Sequence, residues 1–147
     1  MIAMLTGALP LNGQRMQQAA TLAIEEANAE GGVLGKQLEL CIEDDQTLQD
    51  MAVTCASKLA SEGVVGIIGP FKSTNAMAVE SVLTKNGVVA LVGGTSPTIE
   101  ALGNEYLFRA RASDTIFAQV AGMYAHEKFG AKKLQCFITT TNLERAR

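Results

Sequence analysis

Apolar and polar positions follow two rhythms along this chain, and the rhythms take turns. Ile2–Thr6 is a short apolar run that stops at Gly7, the length of a strand. From Met16 the period becomes helical. Met16, Ala19, Ala20, Ala23, Ile24 and Ala27 fall on one stripe, while Gln17, Gln18, Thr21, Glu25 and Asn28 occupy the other face. Gly31-Gly32 ends this helix, as C-terminal glycines do. Gln37–Glu43 then alternates, with Leu38, Leu40 and Ile42 on one side and Gln37, Glu39 and Cys41 on the other. That is a strand near a sheet edge.

Glu43-Asp44-Asp45-Gln46 reads as a solvated turn or cap. The next helix carries Ala52, Cys55, Ala56 and Leu59 on one stripe, with Gly63 past its end. Val64–Ile68 and Val88–Val92 are continuously apolar, as expected of central strands covered on both faces. Between them the pattern predicts one helix, capped by Ser73 or Thr74 and running to Lys85 before Asn86-Gly87. Pro97 suits the first turn of a short helix, and Leu107-Phe108-Arg109 is a short strand. Ser113 or Asp114 caps a further helix with the stripe Phe117, Val120, Ala121 and Tyr124. Gly130 ends it, and Lys133–Ile138 is read as the last strand. The order βαβαβαβ(α)βαβ predicts an α/β fold with three αβα layers. Its doubly wound, mainly parallel sheet has right-handed crossovers.

Composition narrows the function. The chain has 147 residues, 48% hydrophobic and 18% charged, enough for one core. Lys+Arg number 12 against 15 Asp+Glu, and without a basic cluster this balance excludes nucleic acid as an expected partner. No metal is expected. The only histidine is His126, flanked by Glu127 and Lys128 on a helix, and Cys41, Cys55 and Cys136 form no Cys-x-x-Cys pair. The cysteines read instead as small buried hydrophobes. No cofactor and no catalysis are expected either. Gly31–Gly35 precedes a strand rather than a helix, Gly7-x5-Gly13-Gln14 lacks the lysine of a phosphate loop, and no Gly-x-Ser-x-Gly elbow exists. No apolar run reaches the roughly 18 residues of a membrane helix. Met1–Thr6 lacks the basic start and long apolar stretch of an export signal.

In an open parallel sheet a ligand sits beyond the carboxyl ends of the strands. Those ends carry Gly7-Ala8-Leu9-Pro10, Gly69-Pro70-Phe71-Lys72-Ser73-Thr74 and Gly93-Gly94-Thr95-Ser96. Glycines let a ligand approach the backbone, and hydroxyls near helix starts add donors for an anion, so the set suits a small carboxylate. The candidate contact residues are Leu9, Ser73, Gly93, Gly94, Thr95 and Ser96. The competing reading makes Ser73 and Ser96 simple N-caps and Lys72 an ordinary loop lysine.

Leu22–Leu40, with its Ala-Ile-Glu-Glu-Ala-Asn-Ala-Glu-Gly-Gly-Val-Leu-Gly core, resembles the first helix and second strand of periplasmic substrate-binding proteins of the leucine/isoleucine/valine-binding type. Glu43-Asp44-Asp45, Val65–Pro70, Ser73, Gly93–Pro97, and Phe108-Arg109 with Ser113-Asp114 continue the likeness up to about Ile138. The resemblance implies a type 1, Rossmann-like lobe with strand order 2-1-3-4-5. It also implies a solute receptor of an ATP-driven importer, partnered by a membrane permease and located in the periplasm. Ser73, a carbonyl at Gly93 or Gly94, and Thr95 would then hold an amino acid's carboxylate and ammonium. A small shift in the Gly93–Pro97 turn moves the threonine's role to Ser96. The Ala8–Gly13 loop is short and lacks the aromatic that some members place over the ligand. The chain is less than half a usual member, so residues 1–110 would be the ligand-binding lobe. Residues 111–147 would be a hinge crossing plus the first helix and strand of a second lobe, with a homodimer through that segment as one outcome. Related lobes also serve as sensory or regulatory modules, which is the alternative function.

Overall fold

The structure, a computed structural model, describes residues 1–133. The chain divides into two compact units, Met1–Ser113 and Asp114–Arg147.

In the first unit, strand β1 (Ile2–Ala3) pairs in parallel with β2 (Glu43–Asp44), and β3 (Ile67–Ile68), β4 (Ala90–Val92) and β5 (Leu107–Arg109) form a second parallel ladder in that order. The Ile2 carbonyl lies so close to Gly69 that a Cβ there would stand 2.1 Å from its oxygen. This contact sets β1 beside β3 and gives the order 2-1-3-4-5.

Helix α1 (Pro10–Ala29) packs Met16 and Ala20 on one face, against Met1, Ala3, Leu40 and Ile42. Helices α2 (Gln49–Ser61), α3 (Ser73–Ala78) and α4 (Glu80–Asn86) cover the other face. There Ile2, Cys55, Leu59, Val79, Leu83, Ala90 and Val92 form the main core. Helices therefore lie on both faces of a parallel sheet, the three-layer α/β architecture. A short helix α5 (Thr98–Ala101) follows β4.

Several elements depart from the sequence pattern. The helix expected from Ser73 to Lys85 is interrupted at Val79, whose ψ of −7° tightens one turn before α4 begins. On α1, Ala19 and Ala23 are exposed rather than buried. The helix covers only the two-stranded edge, so its contact stripe narrows to Gly13, Met16, Ala20, Ile24 and Ala27. Asn28, expected to face solvent, turns inward. Its amide donates to the Leu38 carbonyl at 2.8 Å and accepts from the Leu38 N–H at 2.7 Å, which fixes the approach to β2.

Within the first unit, the central strands are covered on one face only. Ile68, Leu91 and Phe108 stand in register across β3, β4 and β5, and they are 44%, 46% and 53% exposed. Within the first unit α1 lies over β1 and β2, and α2–α4 lie on the opposite side, which leaves this row bare.

The second unit holds α6 (Asp114–Phe129), none of whose residues is buried. Its expected stripe residues Phe117, Val120 and Tyr124 are exposed, and Tyr124 meets Phe129 edge-on with centroids 5.9 Å apart. The strand expected at Lys133–Ile138 falls, beyond Lys133, outside the described residues, as does Cys136.

Candidate functional site

The loops that follow β1, β3 and β4 gather at the carboxyl end of the sheet, and side chains of the β2 and β3 loops tie them together. Asp44 organises the first. Its carboxylate accepts from the Leu5 and Thr6 amides at 2.9 and 3.2 Å, the Thr6 hydroxyl at 2.5 Å and the Gln46 amide at 2.9 Å. Burial disfavours its charge, but these hydrogen bonds outweigh it and hold the carboxyl below its ordinary 3.8.

Asp45 is the correction to the solvated-turn reading. It is fully buried, accepts from Asn75 Nδ2 at 2.8 Å and from the Thr47 amide at 2.9 Å, and so fixes the β2 loop to α3. Asn75 also donates to the Leu48 carbonyl at 3.2 Å. Sequence pattern missed Asn75. A polar residue at a stripe position two residues after Ser73 was the available signal.

Ser73 does not cap its own helix. Its Oγ reaches across to the β4 loop and accepts from the amides of Thr95 and Ser96, at 3.1 and 3.2 Å. Both contacts use lone pairs, so the hydroxyl proton is left for an acceptor. Close packing makes the arrangement possible. Gly94 is buried, and a Cβ on it would lie 2.9 Å from Ser73 Cα and 2.5 Å from Ile99 Cδ1. A Cβ on Gly93 would lie 2.8 Å from the Phe71 ring. Only glycines allow the β4 loop to press against the β3 loop this tightly.

The structure thus brings Ser73, Gly93, Gly94, Thr95 and Ser96 together. Ser96 Oγ also accepts from the Thr98 amide at 3.3 Å, just ahead of α5, whose N-cap position is Pro97. Leu9 belongs to the loop after β1. It precedes α1, is 43% exposed, and its loop is tied by the Ala8 amide to Thr47 Oγ1 at 2.9 Å. From β5, Arg109 donates to the Thr95 carbonyl at 3.2 Å and pairs with Glu100. Lys72 is a half-buried residue at the start of α3.

A further groove lies elsewhere, at the amino ends of the strands. It encloses about 760 Å³ between residues 36–41 and 62–66, with Met1, Ile24, Val33 and Leu34 in its wall. Its lining is mostly apolar. The Met1 ammonium donates to the Cys41 carbonyl here, and burial lowers its pKa. Cys55 is buried, and its thiol is pushed up to about 11 by that burial and by Glu43, Asp45 and Asp44, so it stays protonated and inert. Among the described residues no cluster of metal-ligating side chains is present. None of their helices is long and apolar enough to cross a membrane.

Residues 1–145 match the model of a family described as periplasmic binding protein. The chain belongs to that family. The binding-protein chain is 31% identical over 135 residues to the Leu/Ile/Val-binding protein BraC3 of Rhizobium johnstonii, a match over 91% of this chain and 37% of the relative. It is equally 31% identical, over 130 residues, to the leucine-, isoleucine-, valine-, threonine-, and alanine-binding protein of Pseudomonas aeruginosa, over 88% and 35% of the two lengths. Among solved structures, the LivJ substrate-binding protein of Streptococcus pneumoniae in complex with isoleucine superposes with a TM-score of 0.82 at 29% identity. That match covers 89% of this chain and 38% of the other. The chain therefore spans a little over a third of the length of these relatives, and it corresponds to their N-terminal part.

Proposed function

We propose that this chain is the ligand-binding N-terminal lobe of an extracytoplasmic solute receptor serving an ABC-type amino-acid importer, and that it acts in the periplasm without catalysis. The supporting observation is the hydroxyl of Ser73, held between two amide donors with its own proton unspent. An amino acid's α-carboxylate accepts that proton, and the Thr95 hydroxyl lies in the same loop cluster to add a second donor. The ammonium goes to the Gly94 carbonyl, because the Gly93 carbonyl already faces the cationic Arg111 at 3.5 Å. The lobe forms one jaw of a clamp. Its relatives are about two and a half times as long, so the lobe alone binds weakly and the permease partnership belongs to the full-length receptor.

Thermal unfolding in the presence of amino acids tests this reading. A ligand at one hundred times its dissociation constant adds about 2.7 kcal/mol, several degrees for a domain of this size. Ser73→Ala is expected to abolish that shift. A shift that survives the substitution, or none with any amino acid, contradicts the proposal.

A further inference from the structure

Two arginines, two positions apart at the end of β5, send their guanidinium groups back to the β4 loop. Arg109 contacts the Thr95 carbonyl, and its charge is neutralised by Glu100; its side chain is only 13% exposed. Arg111 contacts the Gly93 carbonyl at 3.5 Å and lies over the face of Phe71, 5.2 Å from the ring centroid. Among the described residues no carboxylate stands within ion-pair distance of it. A guanidinium has five N–H donors. One recorded bond, to a carbonyl at the limit of hydrogen-bond length, leaves most of them unspent.

Phe71 is itself fixed. It packs so closely on Gly93 that a Cβ there would stand 2.8 Å from the ring. The ring in turn holds the Arg111 plane beside the β3 and β4 loops that carry Ser73 and Thr95. Stacking and a carbonyl orient the cation without neutralising it, and the group left unsatisfied is a planar fork that matches a carboxylate.

We infer that Arg111 is an anion-recognition residue of the site, taking a carboxylate of the bound ligand. The inference rests on the proposed amino-acid site and adds to it a charged contact that the hydroxyls alone do not supply. The carboxylate belongs to the α-carbon or to an acidic side chain, and ligand choice separates the two.

The test is calorimetric titration of the whole 147-residue chain and its Arg111→Gln variant with leucine, glutamate and leucinamide. Arg111 is exposed and outside the core, so the variant is expected to fold, and its melting temperature checks this. The inference expects the variant to lose roughly tenfold in affinity for the carboxylate ligands and to leave leucinamide unchanged. Equal losses for leucine and glutamate assign the α-carboxylate, and a loss larger for glutamate assigns the side chain. Arg111→Lys is expected to restore only part of the affinity, since a point charge replaces the stacked fork. Ligand binding equal in wild type and Arg111→Gln overturns the inference and leaves the amino-acid site standing. Binding of none of the three by the wild-type chain overturns both.

Discussion

Ser73 and Asn75 sit two residues apart in the first turn of α3 and stitch together loops that are distant in sequence. Ser73 holds the β4 loop by two amides, and Asn75 holds the β2 loop by the Asp45 carboxylate and the Leu48 carbonyl. Removing either side chain leaves polar groups without partners in a confined space. Asn75→Ala removes the donor to Oδ2 of the fully buried Asp45, which keeps only the Thr47 amide on Oδ1, and is expected to cost about 2–3 kcal/mol in urea unfolding. A cost below about 0.5 kcal/mol would show that water replaces the amide and that the network is not a fixed support. Asp44 makes a pH-dependent contribution. Its folded pKa lies below the ordinary 3.8, so the stability it supplies is complete above that value and is lost as pH falls through the folded value. Wild type and Asp44→Asn are therefore expected to differ most near neutral pH and to converge on acidification below 3.8. A difference that stays constant across that range contradicts the role given to the charge.

At the level of elements, the sequence pattern identified most of the scaffold because periodicity records burial directly. The α2 stripe Ala52, Cys55, Ala56 and Leu59 is buried throughout, and Leu107–Arg109 is β5. Strand-end reasoning selected the loops that Ser73, Gly94 and Thr95 bring together, because glycines and hydroxyls at those ends are visible in sequence. What failed was one-sided. Continuous apolar strands imply two covers, yet only one face of β3–β5 is covered within the first unit, since periodicity says which residues are apolar but not which layer lies within the same unit. Asp45 and Asn75 were missed for the opposite reason, as a buried polar pair is invisible until its long-range partner is known.

The one-sided core has an energetic consequence. Leu59→Ala, on the covered side, is expected to destabilise by about 2–5 kcal/mol. Leu91→Thr, on the bare row, is expected to change stability by less than about 0.5 kcal/mol. Comparable losses from both in chemical denaturation would mean that the Ile68–Leu91–Phe108 row is covered in solution.

As a whole molecule, the chain divides into two compact units and belongs to a family whose matched members are about two and a half times its length. The proposed function places a weak carboxylate half-site in the loops after β3 and β4, one that works without the rest of the receptor. Backbone amide chemical shifts of the labelled chain, titrated with an amino acid to tens of millimolar, test that claim at the atoms concerned. The amides of Thr95 and Ser96 donate to Ser73 Oγ, so any ligand that takes the serine's proton perturbs them first. Saturable shifts centred on Ser73 and Gly93–Ser96 are expected. Shifts confined to the apolar groove around residues 37–41 and 62–66, or no saturable shift anywhere, would contradict the half-site.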